Sequence, residues 1–299
     1  MMILIINGGV YMTRITVPAY GKINLFLDVK NLREDGYHNL ETVMQSIKLH
    51  DNITISKIDR GINIETNNSQ IPTDQGNLAY KAAEILINRF KLNQGVKIYI
   101  EKNIPVAAGL AGGSTDAAAV IKGMNELFNL NLKEEEIFDI ALSIGSDVPF
   151  CLTGGTAFAT GRGEKLEFLK PIKKYNLIVV KPPQEASTKK IYQLYDKKDI
   201  KIDIPVVKLL NLIKNHAEMN IEDGWKNKLE PVTKDFIKDI EEIETKLINK
   251  GFEFTMMTGS GPTVFSLVKE KNIELAKKTV NEWDRENDFI TLTQLIDRY

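Results

Sequence analysis

The chain has 299 residues, 43% of them hydrophobic and 26% charged, the balance of a globular protein with room for two ordinary domains or one large one. Its 39 Lys and Arg stand against 40 Asp and Glu, so no net basic field exists to hold a nucleic-acid backbone or an anionic membrane. One cysteine excludes an intrachain disulfide, and with only three histidines beside it the composition argues against a Cys/His zinc site.

Met1 to Ile6 is apolar but far too short to span a bilayer and follows no positive stretch, so it reads as neither anchor nor signal peptide. Met12 opens the first clear strand; residues 1–12 are expected to be an extra leader, and the protein cytoplasmic. Period-2 alternation of β-branched residues predicts strands at Thr13–Val17, Ile23–Val29, Leu40–Ile47 and Asn52–Lys57, broken by turn clusters such as Arg33-Glu34-Asp35-Gly36. At 77–90 the period becomes helical, with Leu78, Ala82, Ile85, Leu86 and Phe90 on one stripe.

Val96–Ile100 returns to strand, a glycine-rich loop follows, and helices are predicted over Ser114–Phe128 and Lys133–Ile144, the second closed by Gly145. Cys151, after Pro149 and Phe150 in an apolar run, reads as a small buried hydrophobe rather than a catalytic thiol. Turn and strand alternate from Thr153 to Leu169, and a domain change is expected near Lys170-Pro171, dividing the chain into 13–170 and 171–299. The second half is read as strand Tyr175–Val180, several helices, and one long helix marked by Phe236, Ile240, Ile243 and Leu247. Strands Phe252–Met257 and Thr263–Val268, a helix ending near Trp283, and strand Phe289–Leu292 complete it. There are no repeats or low-complexity tracts, and the order of elements predicts α+β halves with mixed sheets, not a doubly wound array.

The most informative stretch is Pro105-Val106-Ala107-Ala108-Gly109-Leu110-Ala111-Gly112-Gly113-Ser114-Thr115-Asp116, entered by a strand and left by a helix. Its glycines let the backbone approach a ligand and adopt positive φ, and the first helical amides point unpaired at an anion with the positive dipole end behind them. That is a cradle suited to a triphosphate. The plainer reading is a connector capped by Ser114, with Asp116 complementing the helix dipole. No GxxxxGK[ST] occurs, and the GxGxxG spacing of a dinucleotide site is absent.

This run resembles the second, ATP-binding motif of the GHMP kinases. Two more segments lie in the order that family requires: Ala19-Tyr20-Gly21-Lys22-Ile23-Asn24-Leu25-Phe26-Leu27 is similar to its first motif, and Met257 to Phe265, through Gly259-Ser260-Gly261-Pro262, to its third. Within the family, Lys22 to Asp28, Arg33 to Thr42 with its Asp-Gly-Tyr-His core, and Gly145-Ser146-Asp147-Val148-Pro149 resemble the branch whose acceptor is 4-diphosphocytidyl-2-C-methyl-D-erythritol. The resemblance covers residue 13 to the C-terminus and is loosest around 188–225. It implies a two-domain GHMP fold, with an N-terminal ribosomal-protein-S5-like ATP-binding domain and a C-terminal ferredoxin-like α+β domain.

The resemblance implies a role for each residue of the site. Asp147 would accept the proton of the attacking hydroxyl, and Lys22 would stabilise the developing negative charge and keep Asp147 ionised. By itself Asp147 reads as a turn or helix cap, and a strand lysine as solvated, although Tyr20, Ile23 and Leu25 make an apolar setting for Lys22. Asn24, two residues on along the same strand face, would bind substrate. Tyr37 would stack on cytosine and His38 bond its edge, with Tyr192 as the opposite stacking face and Thr188 a polar contact one helical turn away. The plain alternatives are a packed tyrosine with an exposed histidine, and a helix core residue with an N-cap.

Pro105, Val106, Ala107, Ala108, Gly109, Leu110, Ala111, Gly112, Gly113, Ser114, Thr115, Gly259, Ser260 and Gly261 would hold ATP, with Asn77 and Leu78 bordering the adenine. Mg²⁺ is expected with ATP, and Ser114 is its candidate ligand. The implied protein is a monomer or homodimer acting on a small molecule, without nucleic acid or membrane. The rivals are a homoserine- or mevalonate-type kinase of the same family and a non-catalytic nucleotide sensor of the same fold.

Overall fold

The computed structural model describes residues 2–6, 9–198, 200, 206–217 and 225–299. They form two compact units interleaved along the chain: unit 1 is 1–21, 49–106 and 111–153, and unit 2 is 22–48, 107–110 and 154–299. The interleaving arises because two long strands, β2 (Gly9–Leu32) and β3 (His38–Ile58), each contribute one end to each unit. The reading from sequence broke each of them in two. Pro18 and Gly21 in β2 and the mostly polar stretch at 48–52 in β3 look like turns, yet the backbone stays extended through both.

In unit 1, β1 (Met2–Ile6) pairs antiparallel with β2, so part of the expected leader is a strand. β5 (Gly95–Glu101) pairs antiparallel with β3, setting Ile53 opposite Ile100 and Ile55 opposite Ile98, and parallel with β4 (Ile62–Thr66). β4 escaped the sequence reading because only Ile62 and Ile64 mark its five residues. Helices α1 (Leu78–Arg89), α2 (Gly112–Leu127), α3 (Glu134–Ile144) and the short α4 (Val148–Thr153) complete the unit. Ala79, Ala82, Ala83 and Leu86 of α1 and Ala117 to Ile121 of α2 are buried, and small residues let these helices pack closely. At Gly123 a Cβ would lie 2.6 Å from Ile55 Cδ1, so α2 rests directly on the sheet there.

In unit 2, β3 pairs with β6 (Thr156–Gly161), which forms a hairpin with β7 (Lys165–Phe168). A second sheet is antiparallel throughout, in the order β11-β8-β10-β9: β8 is Asn176–Lys181, β9 Thr255–Met257, β10 Val264–Val268 and β11 Phe289–Gln294. Among the described residues the unit's α-helices are α5 (Thr188–Tyr195), α6 (Val207–Lys214), α7 (Glu230–Phe236), α8 (Asp239–Asn249) and α9 (Ile273–Asn281). One core holds Leu27, Val29, Ile178, Val180, Ile240, Ile243, Leu247 and Phe252 together. Phe236 ends α7 rather than belonging to the long helix, because Ile237 turns extended at φ −128° and ψ 98°. Cys151 is buried, and among the described residues no helix is long and apolar enough to cross a membrane.

Candidate active site

Within unit 2 the first motif lies on β2 in a strand that is almost wholly buried. The Lys22 side chain is only 5% exposed, and its Nζ donates to Asn24 Oδ1 at 2.8 Å. A lysine has donors only, so this contact fixes which way the Asn24 amide faces. Its Nδ2 then donates to Thr42 Oγ1 at 2.8 Å, and the Thr42 hydroxyl donates onward to the Phe26 carbonyl at 2.6 Å. The ammonium is thus positioned by a directed chain that ends on the backbone of its own strand.

The other two motifs meet this strand through backbone. Lys22 N donates to Leu110 O at 3.1 Å, and Asn24 N donates to Thr258 Oγ1 at 2.8 Å. Gly109 has φ +74°, and a Cβ there would stand 2.7 Å from Thr258 O. At Gly259, with φ +59°, a Cβ would stand 3.0 Å from Gly109 O. These two glycines are required because one loop's backbone lies against the other's. Asn227 grips the third motif from below: its Nδ2 donates to Met257 O at 3.0 Å and to Gly259 O at 2.7 Å, while Glu230 Oε2 accepts from Met257 N at 2.9 Å.

The Asp-Gly-Tyr-His turn presents its two rings differently. Arg33 bonds Asp35 and Asn39 across the turn, and Gly36 takes φ +81°. Tyr37 is 57% exposed, with the Arg162 guanidinium 5.1 Å from its ring centre. His38 is buried. Its ring stacks on Tyr192 at 5.4 Å, and its Nε2 lies 2.9 Å from Asp196 Oδ1. Tyr192 therefore packs on His38. Thr188, the first residue of α5, shares a hydrogen bond with Ser260 at 3.0 Å, tying that helix to the third glycine loop.

Unit 1 carries the head of α2. The helix begins at Gly112, two residues before the sequence reading placed it, and its cap is Ala111 in the left-handed region at φ +59°. Ala107 also has positive φ, whereas Gly112 does not. The alanines hold two of the special conformations that the sequence reading gave to glycines. Thr115 Oγ1 donates to Gly112 O at 2.8 Å, and Ser114 is half-buried in the first turn. Leu78 lies against Gly113, where a Cβ would meet its Cδ1 at 3.8 Å. Asn77 caps α1, accepting from Ala79 N at 2.9 Å and donating to Pro72 O at 2.8 Å. Asp147 is half-buried in the turn before α4, and its carbonyl accepts the Cys151 amide at 3.1 Å.

Behind the head of α2 lies a charged cluster that sequence reasoning missed. Lys102 Nζ donates to Asp51 Oδ2 at 2.5 Å and to Asp116 Oδ2 at 2.8 Å. Burial, helped by the neighbouring Asp51 charge, pushes Asp116 up to about 7 despite the pull of Lys102. The Lys102 ammonium is itself held above its usual range, since two carboxylates outweigh its burial. Among the described residues no group of three His, Cys, Asp or Glu could hold a metal ion.

Two family models match the chain, the GHMP kinases N-terminal domain over residues 77–155 and the GHMP kinases C-terminal domain over residues 207–285. A curated relative from Clostridium botulinum, named 4-diphosphocytidyl-2-C-methyl-D-erythritol kinase, is 47% identical over 250 residues, covering 83% of this chain and 89% of its own. A crystal structure of a 4-(cytidine 5'-diphospho)-2C-methyl-D-erythritol kinase superposes with a TM-score of 0.77 at 29% identity, covering 93% of this chain and 99% of the other. Homoserine kinase from Cytophaga hutchinsonii superposes at 0.73 with 17% identity over 96% of each chain, a likeness of fold.

Proposed function

The chain belongs to the GHMP kinase family, and from that premise we propose how its residues divide the work of phosphoryl transfer. It is an ATP-dependent kinase whose acceptor is 4-diphosphocytidyl-2-C-methyl-D-erythritol, a precursor in non-mevalonate isoprenoid synthesis; relatives 42–47% identical are named for this activity. The γ-phosphoryl goes to the 2-hydroxyl of the methylerythritol part. The observation that carries the site assignment is the seat of Lys22: a buried ammonium, aimed by Asn24, on a strand whose backbone touches two glycine loops.

Asp147 takes the proton from the acceptor hydroxyl, since an alcohol must lose it as phosphorus is attacked. Lys22 stabilises negative charge that develops during transfer, in a setting where water competes little. The unpaired amides at the head of α2 and the backbone of Gly259 to Gly261 receive the phosphates. Leu78, against Gly113, borders the adenine. Tyr37 offers its open face to cytosine, Arg162 supporting the ring, while His38, Tyr192 and Thr188 shape the remainder of the acceptor pocket.

Mg²⁺ fits a donor set of this kind as a phosphate-bound ion: the Ser114 hydroxyl would supply a protein ligand, with phosphates and water supplying the rest. When bound, it offsets charge on the transferring phosphates.

A phosphoryl-transfer assay with the cytidine-linked acceptor, homoserine and mevalonate tests the reading. Turnover is expected with the first alone. Turnover with homoserine or mevalonate instead would move the acceptor assignment within the family, and no ATP consumption with any alcohol would leave a nucleotide sensor. Asp147→Asn is expected to bind both substrates while losing about 10²- to 10⁴-fold in kcat.

A further inference from the structure

Lys102 follows the last residue of β5, and its side chain is 4% exposed. Its ammonium lies 2.5 Å from Asp51 Oδ2 and 2.8 Å from Asp116 Oδ2. The other oxygen of Asp51 accepts the backbone amides of Asn103 at 2.6 Å and Ile104 at 2.7 Å. One carboxylate therefore holds both the lysine and the peptide groups that lead into Pro105. Asp116 is the fifth residue of α2, so the ammonium links the end of β5 to the amino-terminal part of that helix. The link passes directly beneath Gly112, where an added Cβ would stand 2.8 Å from Lys102 Nζ and 3.3 Å from Ile104 Cγ2. The ammonium leaves little room for a side chain at Gly112, whose φ is not positive.

Stability alone does not account for the arrangement. The amino end of a helix carries partial positive charge and repels a nearby ammonium. Buried ion clusters often contribute no more than apolar packing of the same volume, because each charge loses its hydration. Moreover Asp116 Oδ1 is buried with no hydrogen-bond partner, a cost that a scaffold built only for stability would avoid. What such a cluster supplies and apolar packing does not is direction, since each contact holds two groups at a set distance and angle.

We propose that Lys102 is a positioning residue for the phosphate-binding turn: anchored by Asp51 and Asp116, it fixes the amides of Gly112, Gly113 and Ser114 at the spacing that the ATP phosphates require. This rests on the reading of that turn as the ATP site. The Lys102 side chain is 4% exposed and its ammonium is taken up by the two carboxylates. It acts through the peptide groups on either side of it, and removing it would let the head of α2 shift relative to β5.

Lys102→Met keeps the length of the stem and removes the charge. In the full chain, equilibrium binding of ATP and of adenosine would be measured beside the KM values for ATP and acceptor. Expected are a rise of about 10- to 100-fold in Kd and KM for ATP, adenosine binding within about twofold of the parent, and an acceptor KM that hardly moves. ATP binding at full strength in a variant that melts normally would overturn the proposal, and so would equal weakening of ATP and adenosine. If Lys102→Met does not fold, Asp116→Asn releases only one arm of the link. It should weaken ATP several-fold while sparing adenosine, and unchanged ATP binding there would equally overturn the proposal. A parent that binds no ATP would bring down the ATP-site reading and this proposal together, whereas intact binding in parent and variants alike removes only the proposal.

Discussion

Asn24 Oδ1 accepts the Lys22 ammonium at 2.8 Å, and the same side chain donates to Thr42 on the neighbouring strand. The amide is therefore oriented from both ends and holds the lysine in one pose. An asparagine at this point does more than offer a contact to substrate, the role suggested by the family resemblance.

Replacing Asn24 by Ala should separate positioning from binding. Lys22 loses this acceptor, and Thr42 loses a donor in a buried place. We expect kcat to fall about 10- to 100-fold, the scale of a misplaced catalytic group, with KM for ATP within about twofold. Stability should drop by about 1–3 kcal/mol for the groups left unsatisfied. Steady-state kinetics with a denaturation curve check this, and a variant with parental kcat would show that Lys22 needs no such guide.

Tyr37 has one face beside Arg162 and much of its surface open. Tyr37→Ala should weaken the cytidine-linked acceptor by about 1–3 kcal/mol, roughly 5- to 150-fold in Kd. Tyr37→Phe keeps the ring and should be far milder. ATP affinity should stay put in both. A normally melting Ala variant with full acceptor affinity would remove Tyr37 from cytosine recognition and leave the kinase activity as it stands.

Asn227 tethers the third glycine loop to the segment before α7, beside contacts from Glu230 and Thr233 of that helix. Asn227→Ala frees two carbonyls, those of Met257 and Gly259, in a buried setting. The expected cost is about 1–3 kcal/mol of stability. KM for ATP should also rise, because Gly259 to Gly261 would no longer be held in one shape. A fall in melting temperature with no change in KM would mean that the loop keeps its form without this amide.

Glu244 reports on pH. Burial, and then the Glu230 charge, push its carboxyl up to about 7, although Lys234 bonds it. The native state thus binds this proton more tightly than the unfolded chain does. Its stabilising contribution is full below about 4.5 and is lost as pH rises through about 7. Glu244→Gln removes that dependence. The variant should gain about 1–3 kcal/mol relative to the parent between pH 5 and pH 8, at roughly 1.4 kcal/mol per pH unit. Urea curves at the two pH values decide it, and a constant gap between variant and parent would refute the assignment.

The glycine loops were legible because their chemistry is local. Gly109, Gly259 and Gly261 do take positive φ, and a polar pair such as Lys22 and Asn24 stands out in an apolar strand. Their supports were not legible. Asp51 meets Lys102, Asn227 meets Met257, and Arg162 meets Tyr37 only after the chain has folded back across 30 residues or more. No periodicity marks such contacts in advance. His38 shows the limit from the other side: the plain reading of the turn left its imidazole exposed, whereas folding buries it against Tyr192 and Asp196. The continuous strands were hidden for a different reason, since a proline, a glycine or a polar run can sit in extended backbone when neighbouring strands satisfy it.

The threading of β2 and β3 through both units has a consequence for inheritance. A single crossover in the gene, placed anywhere near residue 153, would take 22–48 from one parent and 154–299 from the other. Leu27 and Val29 would then have to fit against a Leu247 and a Phe252 of different ancestry within one core. Exchange of the carboxyl-terminal half between relatives is therefore not the swap of an intact module in this chain.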